Sequence, residues 1–249
     1  MEVKLLEKKE NEIKLLFKKT DSALMNSLRR AIMSHVPILA IENVSIYENS
    51  SILFDEFLAH RLALLPLKMD LKSYKKGDKV KFYLKAQGPC VVYSKDLKSS
   101  DPKIEVVEKN IPIVKLGENE RIRLEAEAVV NIGKEHVKWQ PAIVGYQNLP
   151  KLIINENCNL CKECIKACPK NLLEEKANKI VIKDPTECTL CKNCRDACSE
   201  KALKLDIDKN SFIFYIETHG NLTNKEILKQ AIKELKAKVE DFQKSFKEI

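Results

Sequence analysis

Apolar residues near the start of the chain fall into two runs, around Val3–Leu6 and Ile13–Phe17, separated by the polar stretch from Lys8 to Asn11, a pattern that predicts a β-hairpin. A helix is expected next. Thr20 or Asp21 can cap it, Leu24, Leu28, Ala31 and Ile32 share one face, and Pro37 closes it. The stretch PILAIENVSIYENSS then reads as strand, and FDEFLAHRLALLPL as a short helix ended at Pro66. From Lys79 to about Tyr146, short β-rich runs are punctuated by Gly88-Pro89, Asp101-Pro102, Gly117 and Gly133, which predicts an independent β-rich lobe. In SFIFYIETHG, Phe212, Phe214 and Ile216 alternate with Ile213, Tyr215 and Glu217, as in a partly buried strand. The last element is a long helix opened by a capping box of Thr223 and Glu226. Along it Leu228, Ile232, Leu235, Val239, Phe242, Phe246 and Ile249 recur at steps of four and three. Such a heptad seam packs either on its own domain or on an equivalent helix of another chain, and spacing alone allows both.

The longest apolar runs, such as Leu62 to Leu67 and Val129 to Ile132, fall far short of the roughly 20 residues of a membrane-spanning helix. The opening Met1-Glu2-Val3-Lys4 lacks the basic start and apolar stretch of a secretory signal, so a cytoplasmic protein without membrane contact is expected. The 249 residues, 44% hydrophobic and 32% charged, suffice for one large domain or a few small ones. The formal net charge of +8 comes mostly from scattered lysine doublets such as Lys8-Lys9, Lys18-Lys19 and Lys75-Lys76. Dispersed lysine marks a solvated surface more than a nucleic-acid face, and no aromatics interleave with it along the chain, so direct sequence-specific nucleic-acid binding is not expected.

The cysteines carry the sharpest chemistry. Eight of nine form two groups, Cys158, Cys161, Cys164, Cys168 and Cys188, Cys191, Cys194, Cys198, each spaced C-x2-C-x2-C-x3-C. Three thiolates two residues apart in a tight loop can converge on one cubane, with the fourth on the short helix that leaves the loop. Both groups belong to a repeat of 30 residues in which ENCNLCKECIKACP aligns with TECTLCKNCRDACS, followed by the strand-like KIVIKD and KLDID. A disulfide scaffold would want an exported chain, and zinc does not call for the third and fourth Cys at these steps. Cys90, alone in QGPCVVYSKDL, is expected to be a buried, inert thiol.

The spacing resembles that of bacterial-type ferredoxins, including Pro169 after the first run; Ser199 stands at the same place in the second. In two-cluster ferredoxins the fourth Cys of each run ligates the other cluster. That resemblance implies one cluster on Cys158, Cys161, Cys164 and Cys198 and another on Cys188, Cys191, Cys194 and Cys168. Two 4Fe-4S clusters are the expected cofactors, with a single cluster or a 3Fe-4S form after exposure to air; two loaded clusters would lower the net charge to about +4.

At DSALMNSLRRAIMSHVPILAIENVSI, followed by DEFLAHRLALLPL, the chain resembles the alpha-like subunits of cellular RNA polymerases, in their archaeal form. VVYSKDL, GKEHVKWQPA and FYIETHGNLTNKEIL look like later motifs of that family in the same order, and an insert at the cysteine position is similar to what many archaeal members carry. The resemblance implies an α+β fold with a split dimerisation domain (residues 1–40 and 209–249), an inserted β-rich domain (41–154) and an inserted ferredoxin-like two-cluster domain (155–208). It also implies a heterodimer with the smaller alpha-like subunit, called L, as the platform for the large subunits of the polymerase core. Arg29 and Arg30, with the seam residues Leu228, Ile232, Leu235, Val239, Phe242 and Phe246, are the expected interface residues.

The expected function is that of a non-catalytic assembly subunit of DNA-directed RNA polymerase, a nucleotidyltransferase. No Gly-rich phosphate loop or carboxylate cluster for magnesium occurs, so no catalytic residue is assigned. His60 and His136 lack partners at useful spacing and read as structural. The alternative is a ferredoxin-type electron-transfer subunit of an oxidoreductase, which the cysteines alone would favour and the flanking motifs do not.

Overall fold

The computed structural model describes residues 1–247, so Ile249 of the seam lies outside the described residues. The order of elements is β1 (Glu2–Lys8), β2 (Glu12–Lys18), α1 (Ser22–His35), β3 (Pro37–Asn49), α2 (Asp55–Ala63), β4 (Lys79–Gln87), β5 (Cys90–Tyr93), β6 (Lys98–Ser99), β7 (Pro112–Leu116), β8 (Arg121–Ile132) and β9 (Ala142–Ile154). There follow α3 (Glu163–Lys166), β10 (Leu173–Lys176), β11 (Lys179–Ile182), α4 (Asn193–Asp196), β12 (Leu203–Thr218) and α5 (Asn224–Lys247). The mixture is α+β, with sheets ordered β1-β2-β12-β9, β3-β8-β4-β6, β10-β11 and β5-β7. Two compact units emerge, one made of Met1–Glu7, Lys14–Asn26 and Gly145–Tyr215, the other of Lys8–Ile13, Ser27–Val144 and the chain from Ile216 onward.

The second unit is built on β8. Its alternation sends Ile122, Leu124, Ala126, Ala128 and Val130 inward, while Arg121 and Arg123 face out, as the period of two requires of a sheet covered on one side. On β4, Val80, Phe82 and Leu84 point the same way, and Phe82 stands opposite Ala126, so the largest ring faces one of the smallest side chains. Leu58 and Leu62 of α2 join this core, as do Val114 and Leu116 of β7. The turn into α5 depends on Gly220, whose φ of +87° is one that side chains rarely adopt; a Cβ there would stand 2.5 Å from Val107 Cγ1. The capping box then forms: Thr223 N donates to Glu226 Oε2 at 3.0 Å and Glu226 N to Thr223 Oγ1 at 3.3 Å.

The first unit holds most of the sheet β1-β2-β12-β9 and the cysteine repeat. Phe17 meets Phe214 edge-on at 5.7 Å, and Tyr146 stacks on Phe214 at 6.4 Å. Pro150 interrupts no ladder because β9 is an edge strand. KLDID and SFIFYIETHG, read as separate strands, are one 16-residue strand, β12. Its second half is buried on both faces from Ser211 to Phe214, which erased the alternation sought there.

Helix α1 corrects a further expectation. Asp21 is the cap, accepting from Leu24 N at 2.8 Å, but Leu24 is itself exposed and Met25 is buried in its place. Leu28, Ala31 and Ile32 are buried as expected, so the apolar stripe stands and only its first position moves, from Leu24 to Met25. Among the described residues no helix is long and apolar enough to cross a membrane.

Candidate metal centres

The cysteine repeat folds twice in the same way. Each C-x2-C-x2-C loop carries two non-glycine residues in the left-handed region, Leu160 (φ 59°) and Lys162 (φ 64°) in the first copy, Leu190 (φ 56°) and Lys192 (φ 69°) in the second. Each such residue costs about 1–2 kcal/mol, so the strain is held in place by something the loop does. Left-handed residues in a tight loop can turn N–H groups towards one point, the concavity that suits an anion or an iron–sulfur cluster. A one-turn helix follows, and its hydrogen bonds repeat too: Ala167 N to Glu163 O and Ala197 N to Asn193 O, both 3.0 Å. The third cysteine of each run, Cys164 or Cys194, lies on that helix. The fourth, Cys168 or Cys198, lies just past its C-cap, which corrects the expectation that it would sit on the helix itself.

The eight thiols surround two separate spaces. One is lined by Cys158, Cys161, Cys164 and Cys198, the other by Cys188, Cys191, Cys194 and Cys168. The fourth cysteine of each run therefore faces the three of the other run. Leu173, Ile180 and Leu203 pack with Cys164 and Cys194 to form the small core between them. Burial pushes the Cys164 and Cys194 thiols up from their ordinary pKa, and the neighbouring cysteines of the same space push further. None of the nine cysteines is joined in a disulfide.

The donor set fits a cluster better than a single ion. Tetrahedral zinc draws four sulfurs to about 2.3 Å from one point. Here four thiols line the wall of a space, and among the described residues no three His, Cys, Asp or Glu side chains close on a single ion.

Other expected residues are dispersed. Along α5, Ile227 and Ala231 are buried, whereas Ile232, Val239, Phe242 and Phe246 are between 46% and 71% exposed and Leu228 and Leu235 are half-buried. The seam is thus not the face that packs on this chain. Arg29 is half-buried, its Nη1 3.4 Å from Met33 Sδ, and Arg30 is exposed. His60 is exposed, and His136 Nδ1 accepts from Lys138 N at 3.2 Å. Cys90 is exposed at the start of β5, not buried as expected, because the inward positions of that short strand begin with Val92.

Sequence reasoning missed the residues that tie the second cysteine loop to β2 and β9. Lys14 bridges Glu7 at 3.2 Å and Glu187 at 3.1 Å, and Gln147 Nε2 lies 3.4 Å from Cys188 O. Glu187 holds the Lys14 ammonium above its ordinary pKa, and Lys14 holds the Glu187 carboxyl below its own. No local pattern announces a contact between residues so far apart in sequence.

Residues 44–144 match the RNA polymerase Rpb3/RpoA insert domain and residues 157–203 the 4Fe-4S dicluster domain. Over its full length the chain is 40% identical to the DNA-directed RNA polymerase subunit Rpo3 of Archaeoglobus fulgidus, covering 98% of that protein. It is 39% identical to the same subunit of Methanosarcina acetivorans, over 97% of this chain and 96% of the other. With that of Pyrococcus furiosus the identity is 38%, over 97% and 95%.

Proposed function

Because the chain belongs to the Rpo3 family of archaeal DNA-directed RNA polymerase subunits, we propose that it is a non-catalytic assembly subunit of that enzyme, working in the cytoplasm as the heterodimeric partner of the smaller alpha-like subunit. The observation that carries this reading is the exposed apolar seam of α5, where Ile232, Val239, Phe242 and Phe246 find no cover among the described residues. Surfaces of this kind are covered by a partner. Residues 1–40 and 209–249 form the docking module, with Arg29 and Arg30 on α1 turned to assembly; residues 41–154 and 155–208 are its two inserts. The sheet order β1-β2-β12-β9 unites strands from both ends of the chain, which supports the docking module, although β9, counted with the first insert, belongs to the same sheet.

Two 4Fe-4S clusters are held by the crossed cysteine sets, Cys158, Cys161, Cys164 with Cys198 and Cys188, Cys191, Cys194 with Cys168. The two four-thiol spaces and the strained loops support it. When bound, a cluster supplies ligation energy to an insert of about 50 residues whose own apolar core is too small for much stability. The eight thiols would hold the clusters, and Leu173, Ile180 and Leu203, packed with Cys164 and Cys194, keep water from the inner cysteines.

The test is co-purification. Tagged chain should bring down the smaller alpha-like subunit and the large polymerase subunits, and Ile232→Lys with Phe242→Lys should lose them while the melting temperature of the isolated chain stays the same. Undiminished recovery of the smaller subunit with the double variant would overturn the interface. Recovery of flavoproteins instead of polymerase subunits would favour the electron-transfer reading.

A further inference from the structure

The sheet β3-β8-β4-β6 has a second face, opposite its core, on which Tyr83, Lys85 and Arg123 are exposed. At one end of it Tyr47, Tyr83, Lys85, Lys98 and Arg123 surround an open concavity. Five residues from four strands meet there because of the register. Tyr83 of β4 stands opposite Lys98 of β6, and Lys85 opposite Arg123 of β8. Tyr47 falls at the irregularity between Ile46 and Glu48 on β3, where an extra residue is turned outward. Both tyrosine rings are open to solvent, 62% and 45% exposed, and the Arg123 guanidinium lies 5.4 Å from the centre of the Tyr47 ring.

The charges at this concavity are unbalanced. Of its two acids, Glu125 is paired with Lys81 at 2.6 Å and Asp96 accepts a hydrogen bond from Tyr93 N at 2.8 Å. Among the described residues Lys85, Lys98 and Arg123 make no ion pair. Two lysines and an arginine without an acidic partner, the arginine set over Tyr47, beside two exposed rings fit a ligand that carries both negative charge and flat aromatic surface. An acidic protein segment would answer the cations and leave the rings idle.

We propose that this sheet face binds single-stranded nucleic acid without sequence preference, with bases stacked on Tyr47 and Tyr83 and phosphates held by Lys85, Lys98 and Arg123. Stacking platforms flanked by cations work in this way, since every base has a flat face and every nucleotide a phosphate. The site reads no base edge, so it is compatible with the absence of sequence-specific recognition. It is also independent of the clusters and of the α5 seam.

The test uses the full-length chain, a fluorescein-labelled twelve-residue thymidine oligonucleotide and fluorescence anisotropy. Tyr83→Ala or Tyr47→Ala should weaken binding at least about fivefold, whereas Tyr83→Phe, which keeps the ring, should retain it. The double variant Lys85→Ala, Lys98→Ala should flatten the dependence of log affinity on log salt by about 1.4, two phosphate contacts on a single strand. Lys75→Ala with Lys76→Ala, outside the concavity, serves as the control for non-specific attraction and should change binding far less than Tyr83→Ala. Equal losses in the tyrosine variants and this control would overturn the proposal. So would equal loss in Tyr83→Phe and Tyr83→Ala, or displacement by polyglutamate at matched charge with no effect of the tyrosine substitutions, which would assign the face to an acidic protein segment.

Discussion

Substituting Cys198 by serine separates crossed from uncrossed ligation. Cys198 lines the space formed by Cys158, Cys161 and Cys164, although in sequence it ends the other run. Two complete cubanes give about eight irons per chain, so loss of one cluster leaves about four. Cys198→Ser alone gives that number under either scheme, and the information lies in the pairs. If ligation is crossed, Cys198→Ser with Cys158→Ser strikes one cluster twice and still leaves about four irons, while Cys198→Ser with Cys188→Ser strikes both and leaves nearly none. Uncrossed ligation inverts the two outcomes. Iron and acid-labile sulfide are measured on anaerobically purified chain. A 3Fe remnant would be recognised by about seven irons with sulfide unchanged. The reasoning is refuted if the pair Cys198/Cys158 empties both sites.

Three further outcomes follow from the rest of the molecule. Gly220→Ala should destabilise the chain by about 2–3 kcal/mol in denaturant titrations, from left-handed strain plus the close approach to Val107; adding Val107→Ala should recover part of this, and no recovery would remove the steric half of the argument. Thr223→Ala, which breaks the capping box of α5, should cost about 1 kcal/mol, and a change below the error of the titration would mean that the cap contributes nothing. Burial, helped by the Lys238 ammonium beside it, holds the His35 imidazole below its ordinary pKa. The folded chain then binds fewer protons at His35 than the unfolded one, so the contribution is complete above about pH 6.5 and is lost as pH falls from there to the folded pKa. His35→Asn should therefore flatten the fall of melting temperature between pH 6.5 and 5, and an unchanged slope would assign that fall to other groups.

What could be read from the sequence was whatever repeats at short range. The hairpin of β1 and β2, the capping box at Thr223 and Glu226 and the eight clustered cysteines each announce themselves within a few residues, because the interaction that fixes them is local. The exchange of the fourth cysteines was legible only through the likeness to ferredoxins, and the linings of the two four-thiol spaces are what the proposed ligation rests on. Leu24 and Cys90 went astray because burial of a single position depends on what packs opposite, and the first turn of a helix and the first residue of a four-residue strand lie where an element's cover begins. Lys14 and Glu187 could not be paired at all, being joined by a fold and not by a motif.

The outer face of β4 and β8 makes the same point in the other direction. Aromatic and basic residues were sought side by side along the chain and were not found, but a sheet interleaves them across strands. Tyr47 and Tyr83 are distant in sequence, Lys98 and Arg123 equally so, and the antiparallel register brings them to one end of one surface. Period-two alternation says only that these side chains point away from the core. Which of them become neighbours is set by hydrogen-bond register, and register here is fixed by the inward set, Phe82 against Ala126 and Leu84 against Leu124. A one-residue slip of β4 would bury Tyr83 and Lys85 and expose Phe82. The core therefore specifies the composition of the open face without touching it, and a substitution that loosened the Phe82–Ala126 pair should disturb binding at Tyr83 as well as stability.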